Sequence, residues 1–235
     1  FSIPADAAAI AEVCRAEGLL HFVDAAHSIG SDTAQGRCGS FGDGSATSFY
    51  PSKALGCYGD GGAVFTRRAD LAERARSIAN HGVGAGTGTH QLLGTNSRLD
   101  TLQAAVLLEK LKVFEAELAA RRAVAARYFA ALGGVCVLPV PPAGTDPAWS
   151  YFAIRHPERD RLQQHLEARG IRPVAYYRVP THAHPAFAQA PVAPQGLPGT
   201  TAFAQTLLCL PMHPYLTGDE VAQVIAAVLE FGDGA

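Results

Sequence analysis

The sequence of 235 residues has little net charge and no long hydrophobic run. Its 19 basic and 21 acidic side chains leave a formal net charge of −2 at pH 7, so no basic surface for nucleic acid or an anionic membrane is indicated. Arginines such as Arg15 and Arg127 interrupt the apolar stretches, and none approaches the roughly 20 residues that span a bilayer. We therefore expect a soluble protein that binds neither nucleic acid nor membrane.

Cysteine is scarce and follows no functional spacing. The five cysteines are odd in number and form no CxxC pair, which argues against a zinc site and against a disulfide framework. A reducing cytoplasm is therefore the expected location. His182 and His184 could suggest a metal, but Pro185 follows them and no third ligand is indicated, so no metal site is predicted.

The composition is that of a globular chain, with 48% apolar and 17% charged residues. Helical and strand patterns alternate, which predicts an α/β fold. In the first part, the patterns predict a helix from Pro4 that Gly18 stops, a buried parallel strand at 19–23 ending at Asp24, strands at 46–50 and 63–66, and a helix at 70–80.

A long helical pattern runs from Asp100 to about Leu132 and predicts a helix pair or one long helix that bridges two domains. The proline and glycine cluster at 139–147 follows, so we predict one domain at residues 1–132 and a second at 133–235. In the second domain, the patterns predict a strand at 151–155, a helix at 158–169, a strand starting at Ile171 and a closing helix with a capping box of Thr217 and Glu220.

Lysine is rare, with three lysines against sixteen arginines. Lys110 and Lys112 lie in the long helical pattern and are interpreted as solvated. Lys53 instead follows a predicted strand and has no acidic neighbour in sequence. A poorly solvated lysine has a lowered pKa and becomes a nucleophile for Schiff-base chemistry. The alternative is an ordinary loop lysine in an arginine-rich sequence.

Asp24 is the second candidate, because ligands of open α/β sheets bind beyond the carboxyl ends of the strands. The alternative is an aspartate that caps a following helix. Taken together, Asp24 and Lys53 suggest a lysine-bound cofactor with an acidic partner for a pyridinium nitrogen, a pairing typical of pyridoxal phosphate sites.

Six segments in order resemble the sugar aminotransferases of the DegT/DnrJ/EryC1/StrS family, which are fold type I pyridoxal phosphate enzymes. The resemblance covers nearly the whole chain. The segments are Val23–Gly30, Gly39–Asp43 with Ser48–Lys53, Gly59–Ala63, His81–Gly82 with Gly94–Ala105, Tyr177–His182, and Leu210–Thr217. The resemblance implies a partial large, cofactor-binding domain at 1–132 and a small α+β C-terminal domain at 133–235.

The resemblance also implies roles for single residues. Lys53 would be the Schiff-base lysine and proton shuttle, and Asp24 would hold the pyridine nitrogen protonated. His27 would lie beside the ring, and the Ser48 hydroxyl would bind the phosphate. Asn96 would reach the phosphate of the neighbouring subunit's cofactor, so a homodimer with shared sites is implied.

The implied reaction moves an amino group, with glutamate as the expected donor, to a keto-hexose carried on a nucleoside diphosphate. Such steps supply amino sugars for surface polysaccharides or glycosylated metabolites. His182 and the turn at 59–62 would lie near this substrate. Because Lys53 stands where a dehydratase branch of the family has histidine, transamination is favoured over dehydration.

Family members carry well over a hundred further residues before the position of Phe1. The only methionine is Met212, so Phe1 is not a start site. We therefore expect the chain as written to be a truncated piece with little or no activity. The alternative function is a catalytically inactive paralogue that acts as a dimerising or regulatory module.

Overall fold

The computed structural model describes residues 1–233 and divides them into two compact units. The first unit comprises Phe1–Ala119 and Pro141–Ser150. The second comprises Ala120–Val140 and the chain from Tyr151 to the end of the described residues. The division into two domains at residues 1–132 and 133–235 stays a prediction. In the structure, residues 120–132 group with the second unit and residues 141–150 return to the first.

The first unit contains a three-stranded sheet, a short hairpin and three helices. Its elements are α1 (Ala7–Ala16), β1 (Phe22–Asp24), β2 (Asp32–Thr33), β3 (Gly36–Arg37), β4 (Gly44–Ser48), β5 (Gly62–Phe65), α2 (Ala69–Ala79) and α3 (Thr101–Leu111). The sheet order is β1-β4-β5, with β1 parallel and β5 antiparallel to β4. β2 and β3 pair with each other in an antiparallel hairpin.

The first predicted helix is confirmed, with its capping. The Asp6 carboxylate accepts a hydrogen bond from the Ala9 N–H at 3.0 Å, as an N-cap does. Gly18 follows the helix with φ +66°, a conformation that glycine adopts without a Cβ penalty. α1 therefore begins after the polar start and ends before the glycine stop that the sequence predicts.

β1 is parallel to β4 as predicted, but the expectation that it is buried is wrong. Phe22 in this strand is 57% exposed. Burial of a strand comes from elements packed on its two faces, and with Phe22 exposed and Val23 half-buried, the described residues leave both faces of β1 partly uncovered.

The core of the first unit forms beneath the segment that follows β4. Phe49, Ala54, Leu55 and Cys57 pack with residues of the two consecutive helices and with Ala148. The predicted helix pair is confirmed as α3 and α4 (Phe114–Leu132), and both contribute to this core, through Leu107, Phe114 and Leu118. The segment that carries Lys53 is thus anchored by its own apolar residues.

The second unit contains the later part of α4, a two-stranded sheet and three further helices. These are β6 (Phe152–Arg155), α5 (Arg159–Glu167), α6 (Pro198–Thr206), β7 (Leu207–Leu210) and α7 (Gly218–Asp233), with short 3-10 turns at Thr181–Ala183 and Pro185–Phe187. β6 and β7 are antiparallel, with Phe152 opposite Leu210. Tyr128 and Phe129 of α4 contact the Phe152 ring, with centroids 5.0 and 5.1 Å away.

One predicted strand of the second unit is wrong. No strand starts at Ile171; this region pairs only through the isolated bridge between Val174 and Cys209. Pro173 has no N–H to donate to a ladder, which explains why pairing does not extend. The predicted capping box is confirmed: Thr217 Oγ1 accepts from the Glu220 N–H at 3.2 Å, and the Glu220 carboxylate accepts from the Thr217 N–H at 2.7 Å.

Across residues 1–233, every helix is too short or too polar to cross a bilayer.

Candidate active site

Two neighbouring parallel strands end at the same edge of the sheet and carry the candidate residues. β1 ends at Asp24, which is in register with Ala46 of β4, and β4 ends two residues later at Ser48. His27 follows β1 by three residues, and Lys53 follows β4 by five. Because carboxyl ends of parallel strands form the usual ligand edge of an α/β sheet, this topology brings the two sequence segments together.

The Asp24 carboxylate is fixed at this edge by a local turn. Its Oδ1 accepts a hydrogen bond from the Ala26 N–H at 2.9 Å. The chain after Asp24 forms turns, so the aspartate does not cap an α-helix. The side chain is exposed, which leaves the carboxylate accessible to a ligand.

Lys53 lies in a tight turn with its side chain half-buried. Its N–H donates to the Tyr50 carbonyl at 2.9 Å, while Ala54 and Leu55 enter the core. Burial lowers the pKa of the Lys53 amine, and the Asp24 carboxylate partly offsets this change. A larger fraction of Lys53 is therefore the neutral, nucleophilic amine than for a lysine in water.

His27 is coupled to both of these groups. Burial, the Lys53 ammonium and the amino group of Phe1 lower the pKa of His27 to about 4, against the opposing effect of Asp24. The His27 backbone is held by Ser150, whose hydroxyl donates to the His27 carbonyl at 3.2 Å. At neutral pH the imidazole is uncharged, so one ring nitrogen can donate and the other can accept a hydrogen bond.

Ser48 occupies the end of β4 next to this group. Its Oγ accepts from the Tyr50 N–H at 3.2 Å. Within residues 1–233 no described acceptor takes the Ser48 hydroxyl proton, so it can donate to an anionic oxygen. The structure thus gathers Asp24, His27, Ser48 and Lys53 on adjoining strand ends.

Two further predicted residues lie elsewhere. Asn96 is exposed in an extended segment, pairs through an isolated bridge with Asn80, and accepts at Oδ1 from Arg98 Nε at 3.3 Å. Its expected ligand belongs to a second subunit, so that role stays a prediction. His182 lies in the second unit, half-buried in the turn Thr181–Ala183, and its role likewise stays a prediction.

The turn at 59–62 returns the chain beside β4 in close contact. The Phe49 N–H donates to the Gly61 carbonyl at 2.8 Å. A Cβ on Gly62 would lie 2.7 Å from the Thr47 carbonyl oxygen, and one on Gly61 would lie 2.8 Å from the Leu99 side chain. The backbone approach at Gly62 requires glycine, whereas at Gly61 the Leu99 side chain could shift, so packing accounts for Gly62 without assigning the turn a ligand.

A cavity of about 500 Å³ adjoins the candidate site on the β1 side. Asp24, Ala26 and His27 line it, together with His21 and Phe41. A larger cavity of about 720 Å³ lies against α2 and the residues around Phe41, and neither Asp24 nor Lys53 lines it. Lys53 and Ser48 line neither cavity, so the smaller cavity adjoins only the Asp24 and His27 side of the candidate site.

Sequence reasoning missed two residues of α3 that contact the lysine segment. Lys110 is not solvated as expected: its ammonium donates to the Gly56 carbonyl at 2.6 Å. The Gln103 amide oxygen accepts from the Tyr58 N–H at 2.9 Å. The spacing of seven residues, two helical turns, was the signal that both face the same side. Lys112 does behave as expected, paired on the surface with Glu109 at 2.7 Å.

The gathered side chains fit pyridoxal phosphate by their chemistry. An amine with lowered pKa suits the aldehyde, a nearby carboxylate suits the pyridinium nitrogen, a neutral imidazole suits the phenolic oxygen and a hydroxyl suits the phosphate. These are complementary pairings for every polar part of that cofactor.

Comparison with solved structures shows the same fold. An aminotransferase of the DegT/DnrJ/EryC1/StrS type from Brucella abortus matches with a TM-score of 0.95 and 44% identity, over 98% of this chain and 62% of that one. DesV from S. venezuelae, solved in complex with a ketimine intermediate, matches with a TM-score of 0.94 and 41% identity, over 99% of this chain and 63% of that one. The fold class predicted from sequence, fold type I α/β, is confirmed.

Curated proteins give the same result. A dTDP-3-amino-3,4,6-trideoxy-alpha-D-glucose transaminase of Streptomyces venezuelae is 43% identical over 98% of this chain and 61% of its own length. A UDP-2-acetamido-2-deoxy-3-oxo-D-glucuronate aminotransferase of Pseudomonas aeruginosa is 38% identical over 95% of this chain and 62% of its own length. The chain therefore spans about three fifths of these relatives. The profile of the DegT/DnrJ/EryC1/StrS aminotransferases matches residues 3–229, and the chain belongs to that family.

Proposed function

We propose that this chain carries the lysine-bearing part of a pyridoxal phosphate-dependent aminotransferase that acts on a nucleotide-linked keto-sugar. The observation that carries the proposal is that the Asp24 carboxylate, at the end of β1, acts electrostatically on the half-buried Lys53 amine, in the segment that follows the parallel strand β4. In the overall exchange, the keto carbon of the sugar gains the amino group, and the donor, with glutamate expected, becomes a keto acid. No outside oxidant or reductant is consumed.

Each gathered residue has a task in this proposal. When bound, the cofactor supplies an aldehyde and an aromatic ring that accepts electrons. Lys53, as a neutral amine, would hold the cofactor through its aldehyde and would carry a proton between the substrate carbon and the cofactor carbon. Asp24 keeps the pyridine nitrogen protonated, His27 binds the phenolic oxygen, and Ser48 donates to the phosphate.

The names of the relatives support both the substrate class and a position on the ring. Relatives that are 36–43% identical include enzymes named for dTDP- and UDP-linked sugars with nitrogen or a keto group at carbon 3. A relative named for the 4-amino transfer is 30% identical. We therefore propose a 3-keto-sugar on a nucleoside diphosphate as the acceptor, in a pathway to amino sugars.

The remaining predictions complete the proposed site. Asn96, on an exposed segment, would reach the cofactor phosphate of a second subunit in a homodimer, and His182 would lie near the sugar. The cytoplasm remains the proposed location, and the free, buried thiols Cys38, Cys57 and Cys136 suit such a reducing compartment. The alternative of an inactive paralogue is not supported, since several relatives are named as aminotransferases. Two others, 37% and 38% identical, are named as a sensory transduction protein and a pleiotropic regulatory protein.

The test uses protein expressed from its complete reading frame, with Lys53→Ala and Lys112→Ala as matched variants. We expect pyridoxal phosphate to give the visible absorption of lysine-bound cofactor with the unsubstituted protein and with Lys112→Ala, but not with Lys53→Ala. Glutamate and a 3-keto-sugar nucleotide should then give amino sugar, and a 4-keto-sugar much less. A colourless unsubstituted protein would overturn the proposal. The same assay on the chain as written tests the expectation that it has little activity.

A further inference from the structure

The lysine loop, residues 50–59, is closed at its neck by two residues. The Cys57 N–H donates to the Phe49 carbonyl at 2.7 Å, and the Cys57 thiol donates to the same oxygen at 3.0 Å. Inside the loop, a Cβ on Gly56 would lie 2.7 Å from the Tyr50 carbonyl oxygen. The end of the loop, residues 56–58, therefore packs closely against its start, residues 50–51.

Two side chains of α3 form hydrogen bonds with the end of the loop. Lys110 donates to the Gly56 carbonyl at 2.6 Å, and Gln103 accepts from the Tyr58 N–H at 2.9 Å. Gln103 and Lys110 are seven residues apart and lie on one helix face. Leu107, between them on that face, is buried in the core of the unit. A rigid helix thus fixes the loop at one carbonyl and one N–H.

We propose that Gln103 and Lys110 are positioning residues that set the place of the Lys53 amine through the backbone of the lysine loop. The inference rests on the proposed function, because it concerns how the Schiff-base lysine is held. Neither side chain need touch cofactor or substrate.

Gly56 and Lys53 are close along the chain, so a displacement of the backbone at Gly56 can reach Lys53. Only Ala54 and Leu55 separate them, and both pack in the same core as Leu107 of α3, so the Gly56 contact and the lysine turn share one packed support with no flexible segment between them. A proton shuttle is sensitive to such shifts, since a displacement of about 1 Å can cost about a hundredfold in rate. The Lys53 amine would also leave the half-buried surroundings that it shares with His27 and Asp24.

The experiment compares Lys110→Met and Gln103→Leu with Lys110→Arg, Gln103→Glu and Lys112→Met, all in protein from the complete reading frame. Lys110→Arg keeps a donor for the Gly56 carbonyl, and Gln103→Glu keeps an acceptor for the Tyr58 N–H. Lys112→Met is the matched control, because Lys112 directly follows α3 and its ammonium pairs only with Glu109 among the contacts described.

Two measurements are made on each protein. The first is the pH dependence of the rate at which cofactor-free protein takes up pyridoxal phosphate, which reports the apparent pKa of Lys53. The second is kcat and KM of amino transfer, per folded molecule. For Lys110→Met and Gln103→Leu we expect kcat about tenfold lower, KM of the sugar within about twofold, and a higher apparent Lys53 pKa, because the amine is better solvated.

Lys110→Arg and Gln103→Glu should keep most of the kcat and of the lowered apparent Lys53 pKa. Lys112→Met should match the unsubstituted protein in both. If Lys110→Met and Gln103→Leu lower the unfolding temperature but leave kcat and the apparent pKa unchanged, the contacts are only structural and the inference is overturned. Equal loss in Lys112→Met would overturn it as well. If one variant does not fold, the other decides.

These outcomes are distinct from failure of the proposed function. In that case the unsubstituted protein itself would take up no cofactor at Lys53. If it does so and the two α3 variants behave like it, the proposed function stands and the positioning role alone is lost.

Discussion

The Asp24 carboxylate acts electrostatically on the Lys53 ammonium and opposes the effect of burial on its pKa. A hydrogen bond from the Ala26 N–H keeps that carboxylate at the end of β1. Burial favours the neutral amine, and the carboxylate favours the ammonium. The protonation of Lys53 is therefore set by two opposed influences, its burial and the Asp24 carboxylate.

Replacing Asp24 by asparagine separates these influences. In Asp24→Asn the apparent pKa of Lys53 should fall further, because the carboxylate that raises it is gone. Amino transfer should fall by about a hundredfold, since no carboxylate then keeps the pyridine nitrogen protonated. Cofactor uptake against pH and single-turnover rates measure the two effects. A raised apparent pKa, or undiminished transfer, would contradict this account of Asp24.

His27 makes stability depend on pH in a defined window. Its pKa is lowered from 6.5 to about 4 by burial first and by Lys53 second, so the folded state disfavours its proton. Well above pH 6.5 both states are unprotonated and the group contributes no pH dependence. As the pH falls from 6.5 towards 4, the unfolded state binds the proton first and stability declines.

Because the His27 ring is partly exposed, this decline should be about 1–2 kcal/mol. Urea unfolding at pH 7 and pH 4.5 measures it, with His27→Gln as the comparison. The variant keeps a neutral polar side chain and should lose less stability on acidification than the unsubstituted protein. An equal loss in both proteins would show that His27 does not set this dependence.

The close backbone approach inside the lysine loop predicts that replacing Gly56 by any other residue destabilises the protein. In Gly56→Ala the new methyl group would lie 2.7 Å from the Tyr50 carbonyl oxygen and 2.8 Å from that of Pro51, and backbone atoms cannot move aside cheaply. We expect a loss of about 1–3 kcal/mol in the free energy of unfolding. Gly134→Ala is the control, because a Cβ there meets no atom within 4 Å. Similar stability of both variants would contradict the close approach of Gly56 to the Tyr50 and Pro51 carbonyl groups.

The capping box at the start of α7 gives a prediction for the second unit. Thr217→Ala removes the hydroxyl that accepts from the Glu220 N–H, and should cost about 1 kcal/mol. Thr217→Ser keeps that acceptor and should cost much less. Denaturant unfolding compares the two variants, and equal losses would show that the methyl group of Thr217, and not its hydroxyl, is what matters.

The sequence was sufficient for the parts of the site that depend on local order. Asp24 at a strand end and Lys53 after the next sheet strand could be placed because parallel strands bring their carboxyl ends together. The roles of these residues remain predictions. The helix pair and the cap of α1 followed from periodicity and from Asp6.

Other features depend on contacts that are distant in sequence. The contact of Lys110 could not be foreseen, because its acceptor at Gly56 lies more than fifty positions away. The lowered pKa of His27 depends on burial and on Lys53, neither of which its own segment reveals. Strand β7 was missed because Leu207–Leu210 is a short apolar run without alternation, as a buried helix end would also be.

The most direct test is to locate the covalent bond. Protein from the complete reading frame is incubated with pyridoxal phosphate, reduced with borohydride and digested, and the modified lysine is identified by mass spectrometry. With three lysines in this sequence, the assignment is unambiguous within it. We expect the label on Lys53 and none on Lys110 or Lys112. A label on either of those two, or no label on Lys53, would contradict the account.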